Sequence, residues 1–173
     1  MELTRRQVIA LAGAGGAVLG ASFPPWSLPW LAPLAVASFV VAVGRRPGLG
    51  AAAGLTFGAV HLGVASWWLV ESITPAAWAA LTAAQSLWFA LLGAAVALLR
   101  RLRGWPVWVA CAWSAAEGAR SAWPWGGFPW GRLGHTALDT PWVGSLAVLG
   151  MAGCGTLIAF AGCGIAVFAM VLL

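Results

Sequence analysis

Residues 76–99 read AAWAALTAAQSLWFALLGAAVALL, and Arg100 and Arg101 follow immediately. The stretch contains no charged side chain. A helix needs about twenty apolar residues to cross a hydrocarbon core of roughly 30 Å. The stretch therefore predicts a membrane-spanning helix, and the two arginines mark the end of it.

The composition of the whole chain indicates the same class of protein. Charged residues make up 8% of its 173 residues and hydrophobic residues 62%. Soluble domains usually contain roughly 25% charged residues, so this chain has too little polar surface to cover a water-soluble globule. The net charge of +5 does not indicate a nucleic-acid partner, because the arginines lie in small groups between apolar runs.

Six apolar runs of this kind follow one another along the chain. The predicted spans lie near residues 7–22, 28–44, 48–69, 76–99, 104–122 and 143–173. Helices are the only reasonable spanning form, since backbone groups find no water in lipid and no alternating barrel pattern is present. We therefore expect an all-α, polytopic transmembrane bundle that forms one domain over residues 1–173.

Arginine pairs predict how the bundle lies in the membrane. They are Arg5-Arg6, Arg45-Arg46, and Arg100-Arg101 with Arg103. Cytoplasmic loops collect basic residues, so six spans place all three groups and the N-terminus in the cytosol. Residues 23–27, 70–75 and 121–142 are then expected to face outward.

The first apolar run allows a second interpretation. Thr4-Arg5-Arg6-Gln7 before an Ala- and Gly-rich stretch is also typical of a twin-arginine export signal, with Gly20-Ala21-Ser22 as the cleavage region. We favour a retained first helix, because cleavage would leave Phe23-Pro24-Pro25 at a new terminus.

Polar residues concentrate around the last outward segment. Trp113, Glu117 and Arg120 are spaced to share one face of a helix. The loop 126–131, GGFPWG, follows them, and Leu133-Gly134-His135 comes next.

This ordered pattern resembles apolipoprotein N-acyltransferase, a bacterial inner-membrane enzyme with W-x-x-x-E-x-x-R followed by G-F-P-W. The resemblance extends over nearly the whole chain. Its other elements are Phe23-Pro24-Pro25, Leu28, Trp30, Pro33-Leu34, Gly54, Phe57-Gly58, Gly63, Trp67-Trp68-Leu69, Pro141, Gly150 and Gly153. It implies a multi-pass protein of the bacterial inner membrane. The implied reaction transfers an acyl chain from a phospholipid donor to the diacylglyceryl-cysteine of an apolipoprotein.

The resemblance also implies nitrilase-like chemistry, in which a Glu base, an oxyanion-stabilising Lys and a Cys nucleophile act together. This sequence has no lysine, so we expect no catalytic residue in it. Cys111, Cys154 and Cys163 fall in predicted helices and are expected to be apolar fillers. Their spacing predicts no metal site, and we expect no cofactor. The chain then corresponds to the N-terminal transmembrane domain of the enzyme, with the nitrilase-like domain absent and the fragment alone inactive.

Candidate site residues lie in the outward motif. Glu117 and Arg120 can pair at the outer interface, either as a latch or phospholipid head-group site or as a structural ion pair. Phe128, Pro129 and Trp130 occupy a turn, where an aromatic loop can line an entrance for acyl chains or simply belong to an interfacial belt.

Other residues and functions remain as alternatives. His61 lies in the third predicted span and is expected to bond a neighbouring helix for packing. A non-catalytic scaffold for a partner enzyme, such as a polyprenol-phosphate glycosyltransferase, is the second candidate function. A transporter or channel is disfavoured, because the predicted midplane lacks an acidic residue or arginine that could bind ions.

Overall fold

The computed structural model describes residues 3–124, 126–138, 140–141 and 143–172. Within these residues the chain is helical and forms no strand. The helices are α1 (Arg5–Ala21), α2 (Ala32–Val43), α3 (Pro47–Ala65), α4 (Leu69–Ser72), α5 (Pro75–Leu99), α6 (Trp105–Arg120) and α7 (Ser145–Leu172). Short 3₁₀ turns, Pro29–Leu31 and Leu133–Ala137, precede α2 and α7.

Capping residues and prolines mark the N-terminal ends of these helices. Thr4 caps α1 in a reciprocal arrangement with Gln7, and the hydroxyl of Thr74 accepts a hydrogen bond from Ala77 at the start of α5. Proline lies in the first turn of α2, α3, α5 and α6. Its missing amide costs nothing at that position, because the first amides of a helix have no partner within it.

Helix α3 lies at the centre of the bundle and packs most extensively against α5 and α1. Helix α2 contacts α1 and α7, and α6 bridges α5 and α7. The residues of α1 that face α3 and α2 are buried, including Ala12 and Leu19. Removing α1 as an export signal would therefore expose part of the core, and the retained helix stays a prediction.

Aromatic rings from four helices meet in the middle of the core. The ring of Phe39 lies 4.9 Å from that of Phe57 and 5.2 Å from that of Trp113, both edge to face. Phe89 joins them, 5.8 Å from Phe57 and 6.0 Å from Trp113. Such edge contacts place the positive rim of one ring against the negative face of another, so the cluster fixes how α2, α3, α5 and α6 meet.

Glycines allow α3 and α5 to touch backbone to backbone. A Cβ atom added to Gly54 would collide with the carbonyl oxygen of Phe89, and one added to Gly93 would collide with that of Gly50. Helices in lipid gain little from hydrophobic burial, so close van der Waals contact of this kind holds them together.

The bundle has two chemically different ends. At the arginine end, which comprises Arg45, Arg100 and Arg101, the side chain of Arg101 donates to the carbonyl of Arg45 at 2.9 Å. At the tryptophan end, which comprises Trp68, Trp123 and Trp130, the indole of Trp130 donates to the carbonyl of Ala65 at 3.1 Å. Two of the three arginine groups predicted to share one side of the membrane, Arg45-Arg46 and Arg100-Arg101, therefore come together.

The all-helical prediction is confirmed for the described residues, and three helices are long and apolar enough to cross a membrane: α3, α5 and α7. The apolar segment Pro29–Val43 is shorter, and α1 and α6 have 17 and 16 residues. The count of six spans and the cytosolic N-terminus stay predictions.

Helices α2, α3 and α7 differ from their predicted spans. Helix α2 begins at Ala32 rather than near Leu28, because the 3₁₀ turn Pro29–Leu31 precedes it. Helix α3 stops at Ala65 rather than near Leu69, because Ser66 takes non-helical angles and donates its hydroxyl to the carbonyl of Leu62. Helix α7 is broken at Gly150, where φ is 64° and ψ is 179°. Its span was predicted over 143–173; the helix begins at Ser145, and Leu173 lies outside the described residues.

The glycine contact predicts opposite effects for two identical substitutions. Gly54→Ala is expected to lower the free energy of unfolding by about 1–3 kcal/mol, since the added methyl group meets backbone that cannot yield. The methyl group added by Gly164→Ala in α7 meets open space. This substitution is expected to raise the free energy of unfolding by up to ~1 kcal/mol, because alanine has the higher helix propensity. Unfolding of both variants in detergent micelles measures the difference, and equal effects would contradict the packing argument.

Candidate functional site

Helix α6 carries the first two candidate residues into the protein interior. Glu117 is 3% exposed and Arg120 is 1% exposed. The indole of Trp113, four residues before Glu117, donates to its Oε1 at 3.0 Å. The W-x-x-x-E spacing is therefore one helical turn in which the Trp orients the carboxylate.

Arg120 binds the backbone of the aromatic loop. Its Nη1 donates to the carbonyl of Phe128 and its Nη2 to the carbonyl of Trp130, both at 2.8 Å. The amide of Phe128 donates in return to the carbonyl of Arg120 at 2.9 Å. We call this arrangement of Arg120, Phe128 and Trp130 the arginine clamp. A planar guanidinium can hold two carbonyls at once, which a lysine ammonium does not reproduce.

Two glycines let the loop fold back onto the end of α6. Gly127 has φ of 74°, and a Cβ atom there would collide with the backbone of Ser121. Gly131 has φ of 71°, and its Cβ would lie 3.1 Å from Nε2 of His61. Only glycine adopts these angles without strain and leaves this space.

The side chains of the loop point away from the core to different degrees. Phe128 is partly buried, whereas Pro129 and Trp130 are exposed. Two contacts nevertheless fix the side chain of Trp130. Its indole N–H donates to the carbonyl of Ala65, and its ring lies 5.7 Å from that of Trp68, edge to face. The loop therefore presents an ordered aromatic surface.

Glu117 has a cationic neighbour that the sequence did not predict. Its ion pair is with Arg132, whose Nε lies 3.9 Å from Oε2, while the guanidinium of Arg120 faces the loop carbonyls. Its Oε1 also accepts a hydrogen bond from the amide of Leu133 at 2.8 Å. Glu117 thus fixes the chain after the loop, and Arg120 fixes the loop itself.

His61 closes the far side of the loop. It is fully buried beside the rings of Phe23, Phe57 and Phe89, and its Nε2 lies 3.3 Å from the carbonyl oxygen of Gly131. The predicted packing role is consistent with this position. However, the partner is the loop rather than a neighbouring helix.

His135 follows in the 3₁₀ turn, where its Nδ1 accepts a hydrogen bond from the amide of Arg132 at 3.2 Å. Burial lowers the pKa of His135, and the positive charges of Arg132 and Arg120 lower it further. The ring is therefore neutral at pH 7, in keeping with its role as an acceptor.

The three cysteines lie on α6 and α7. Cys154 and Cys163 are buried in α7, and Cys111 is exposed on α6. Within the part of the chain that the structure describes, no three His, Cys, Asp or Glu side chains come together as a metal site would require. The arrangement of Arg120, Glu117 and Arg132 positions the loop and the segment that follows it.

Sequence reasoning missed the partners that are distant along the chain. The spacing of Trp113 and Glu117 placed both on one face of a helix, but their hydrogen bond was not predicted. Nothing in the sequence links Arg132 to Glu117 or the carbonyl of Ala65 to Trp130, because tertiary packing creates both contacts.

The arginine clamp predicts a specific effect of Arg120→Lys. One ammonium cannot satisfy both buried carbonyls, so we expect the free energy of unfolding to fall by about 1–3 kcal/mol and the loop to become more accessible to protease. The matched control is Arg103→Lys, since Arg103 is exposed near the arginine end. Thermal unfolding and limited proteolysis in detergent measure both variants. An Arg120→Lys protein as stable and resistant as the control would show that the two hydrogen bonds contribute little.

Comparison with known families agrees with the arrangement of these residues along the chain. The family model for the apolipoprotein N-acyltransferase N-terminal domain matches residues 15–164. The match begins within α1, ends within α7 and includes the whole arginine clamp. The chain belongs to the apolipoprotein N-acyltransferase N-terminal domain family.

Proposed function

We propose that this chain is the membrane portion of a phospholipid-dependent apolipoprotein N-acyltransferase. The observation that carries the proposal is the family match over residues 15–164, and the apolar helices are consistent with it. The substrates are a phospholipid acyl donor and a diacylglyceryl-modified apolipoprotein, both in the bacterial inner membrane. The arginine groups predict that the tryptophan end faces outward.

In this proposal the clamp holds the aromatic loop as a fixed platform at the outer interface. Trp and Phe rings suit this depth, where one side meets acyl chains and the other meets head groups. Arg120 and Glu117 act by positioning. The guanidinium of Arg120 donates to the carbonyls of Phe128 and Trp130. Oε1 of Glu117 accepts from the amide of Leu133, whereas its buried Oε2 accepts no hydrogen bond and lies 3.9 Å from Nε of Arg132.

An apolar groove beside the platform fits one acyl chain of a substrate. Its volume is about 460 Å³. Pro29, Pro33 and Trp30 form one wall, and Leu157, Ile158 and Ala161 of α7 form the other. Thr136 and Ala137, which follow the Glu117-bound segment directly, line it as well. The groove therefore joins the tryptophan end to the lipid-facing side of α7.

The acyl-transfer chemistry is assigned to a catalytic domain outside this sequence. The chain contains no lysine, so it cannot supply the Lys of a nitrilase-like triad. Cys154 and Cys163 are buried within α7, and Cys154 belongs to the lining of the groove. The membrane portion then holds and presents the acyl chains.

The proposal predicts that the full-length protein containing this sequence restores lipoprotein N-acylation in a bacterium depleted of its own enzyme. Residues 1–173 expressed alone should not restore it. The mass of the lipoprotein's N-terminal peptide reports the added acyl chain. A full-length protein that is correctly inserted yet leaves that mass unchanged would favour the scaffold function instead.

The groove predicts that Ala161→Trp reduces acyl transfer by the full-length protein about tenfold, since displacing a chain by a methylene or two within a shaped pocket costs about 1–3 kcal/mol. Ala84→Trp is the matched control, because Ala84 is also an exposed alanine on a long apolar helix but does not line the groove. Initial rates with a synthetic lipopeptide measure the effect. Equal rates for the two variants, at equal expression, would remove the groove from the proposal.

A further inference from the structure

A second cavity lies at the arginine end, on the opposite side of the bundle from the clamp. Its volume is about 290 Å³. The start of α1, the end of α2, the turn into α3, the end of α5 and the end of α7 all contribute to its wall. It therefore sits where five helices meet the predicted cytosolic surface.

The lining combines positive charge with apolar surface. Arg45, Arg46 and Arg100 belong to it, and so do Val8, Leu49 and Met170. Among the residues that the structure describes, no carboxylate lines this cavity. A pocket that gathers cations beside aliphatic side chains is suited to a molecule with an anionic head and an apolar tail.

The position of Arg100 is fixed by the protein. Its Nη1 donates to the carbonyls of Val40 at 2.9 Å and Gly44 at 3.1 Å, and its Nη2 lies 2.7 Å from Sδ of Met170. It therefore satisfies carbonyls at the end of α2, where a cation is favoured by the helix dipole. The same contacts hold one positive charge at the wall of the cavity.

Arg45 places a second positive charge near that of Arg100. Burial lowers the pKa of Arg100, and the charge of Arg45 lowers it further. The side chain of Arg45 is exposed, and the contact made at this residue is through its carbonyl, which accepts from Arg101. Two guanidinium groups that repel each other in a partly buried place are stabilised by an anion between them.

From this geometry we infer that the cavity binds the phosphate group of an anionic phospholipid of the inner leaflet, with part of an acyl chain against Val8, Leu49 and Met170. This site is separate from the proposed substrate groove, which lies at the other end of the bundle. It does not depend on acyl transfer. Phosphate chemistry can also come from a soluble ion, and the experiment distinguishes the two sources.

The test measures lipid retention by the intact protein in detergent, using native mass spectrometry. The probes are phosphatidylglycerol and phosphatidylcholine with identical acyl chains, each titrated alone and against inorganic phosphate. We expect preferential retention of phosphatidylglycerol that millimolar phosphate does not displace. Displacement by phosphate at that concentration, or equal retention of the two lipids, would overturn the assignment to an anionic lipid.

Arg45→Gln is the decisive variant, because its exposed side chain can change without removing the hydrogen bond to its carbonyl. We expect affinity for phosphatidylglycerol to fall about fivefold, the factor that one basic residue contributes beside an anionic head group. Arg103→Gln is the control, being an exposed arginine near the same end that does not line the cavity. Unchanged affinity in Arg45→Gln, or an equal loss in the control, overturns the proposal.

A second variant tests the apolar wall independently. Leu49→Trp fills the cavity from the first turns of α3 and is expected to weaken lipid retention several-fold while thermal unfolding remains cooperative. If the filled cavity retains phosphatidylglycerol as well as the unchanged protein does, the lipid lies elsewhere and the assignment fails.

Discussion

A buried guanidinium organises the tryptophan end of this protein. Backbone carbonyls in a non-helical loop have no helical amide to accept from, and leaving them unpaired away from water is costly. Arg120 supplies donors to two of them from inside the bundle, at Phe128 and Trp130. The loop can therefore stay ordered over the core without a strand or helix of its own. The platform proposed for acyl chains depends on this one side chain.

The clamp works only because the helices beneath it are held closely. Gly54 and Gly93 bring α3 and α5 into backbone contact, and the ring cluster around Phe57 and Trp113 fixes α6 against them. Trp113 then connects the two layers, since its ring packs in the core and its indole nitrogen donates to Glu117. Core packing and site geometry are consequently parts of one structure.

The two ends of the bundle use arginine for different purposes. At the tryptophan end Arg120 binds a loop carbonyl and Arg132 pairs with Glu117, so both arginines stabilise the protein's own structure. At the arginine end Arg45 and Arg100 line a cavity to which no described residue contributes a carboxylate. The first arrangement holds a protein segment, and the second carries the proposed lipid site.

Residues close along the chain made much of this protein predictable. The apolar runs predicted the helices, because lipid forces each backbone to satisfy its own hydrogen bonds. The arginine groups predicted which loops share an end, and the W-x-x-x-E-x-x-R and G-F-P-W motifs predicted the family. The break after Ala65 was missed, because it depends on how Ser66 turns the chain.

The sequence by itself determined the class of protein, the order of its helices and the segment that carries its polar chemistry, since all three follow from short-range patterns. Only the tertiary structure decided that Glu117 pairs with Arg132, that Arg120 binds loop carbonyls, and that two cavities open at opposite ends. Each of these contacts and cavities brings together residues from different helices or from the two sides of a turn. Spacing along the chain does not predict which of these residues meet, because that depends on how the helices pack.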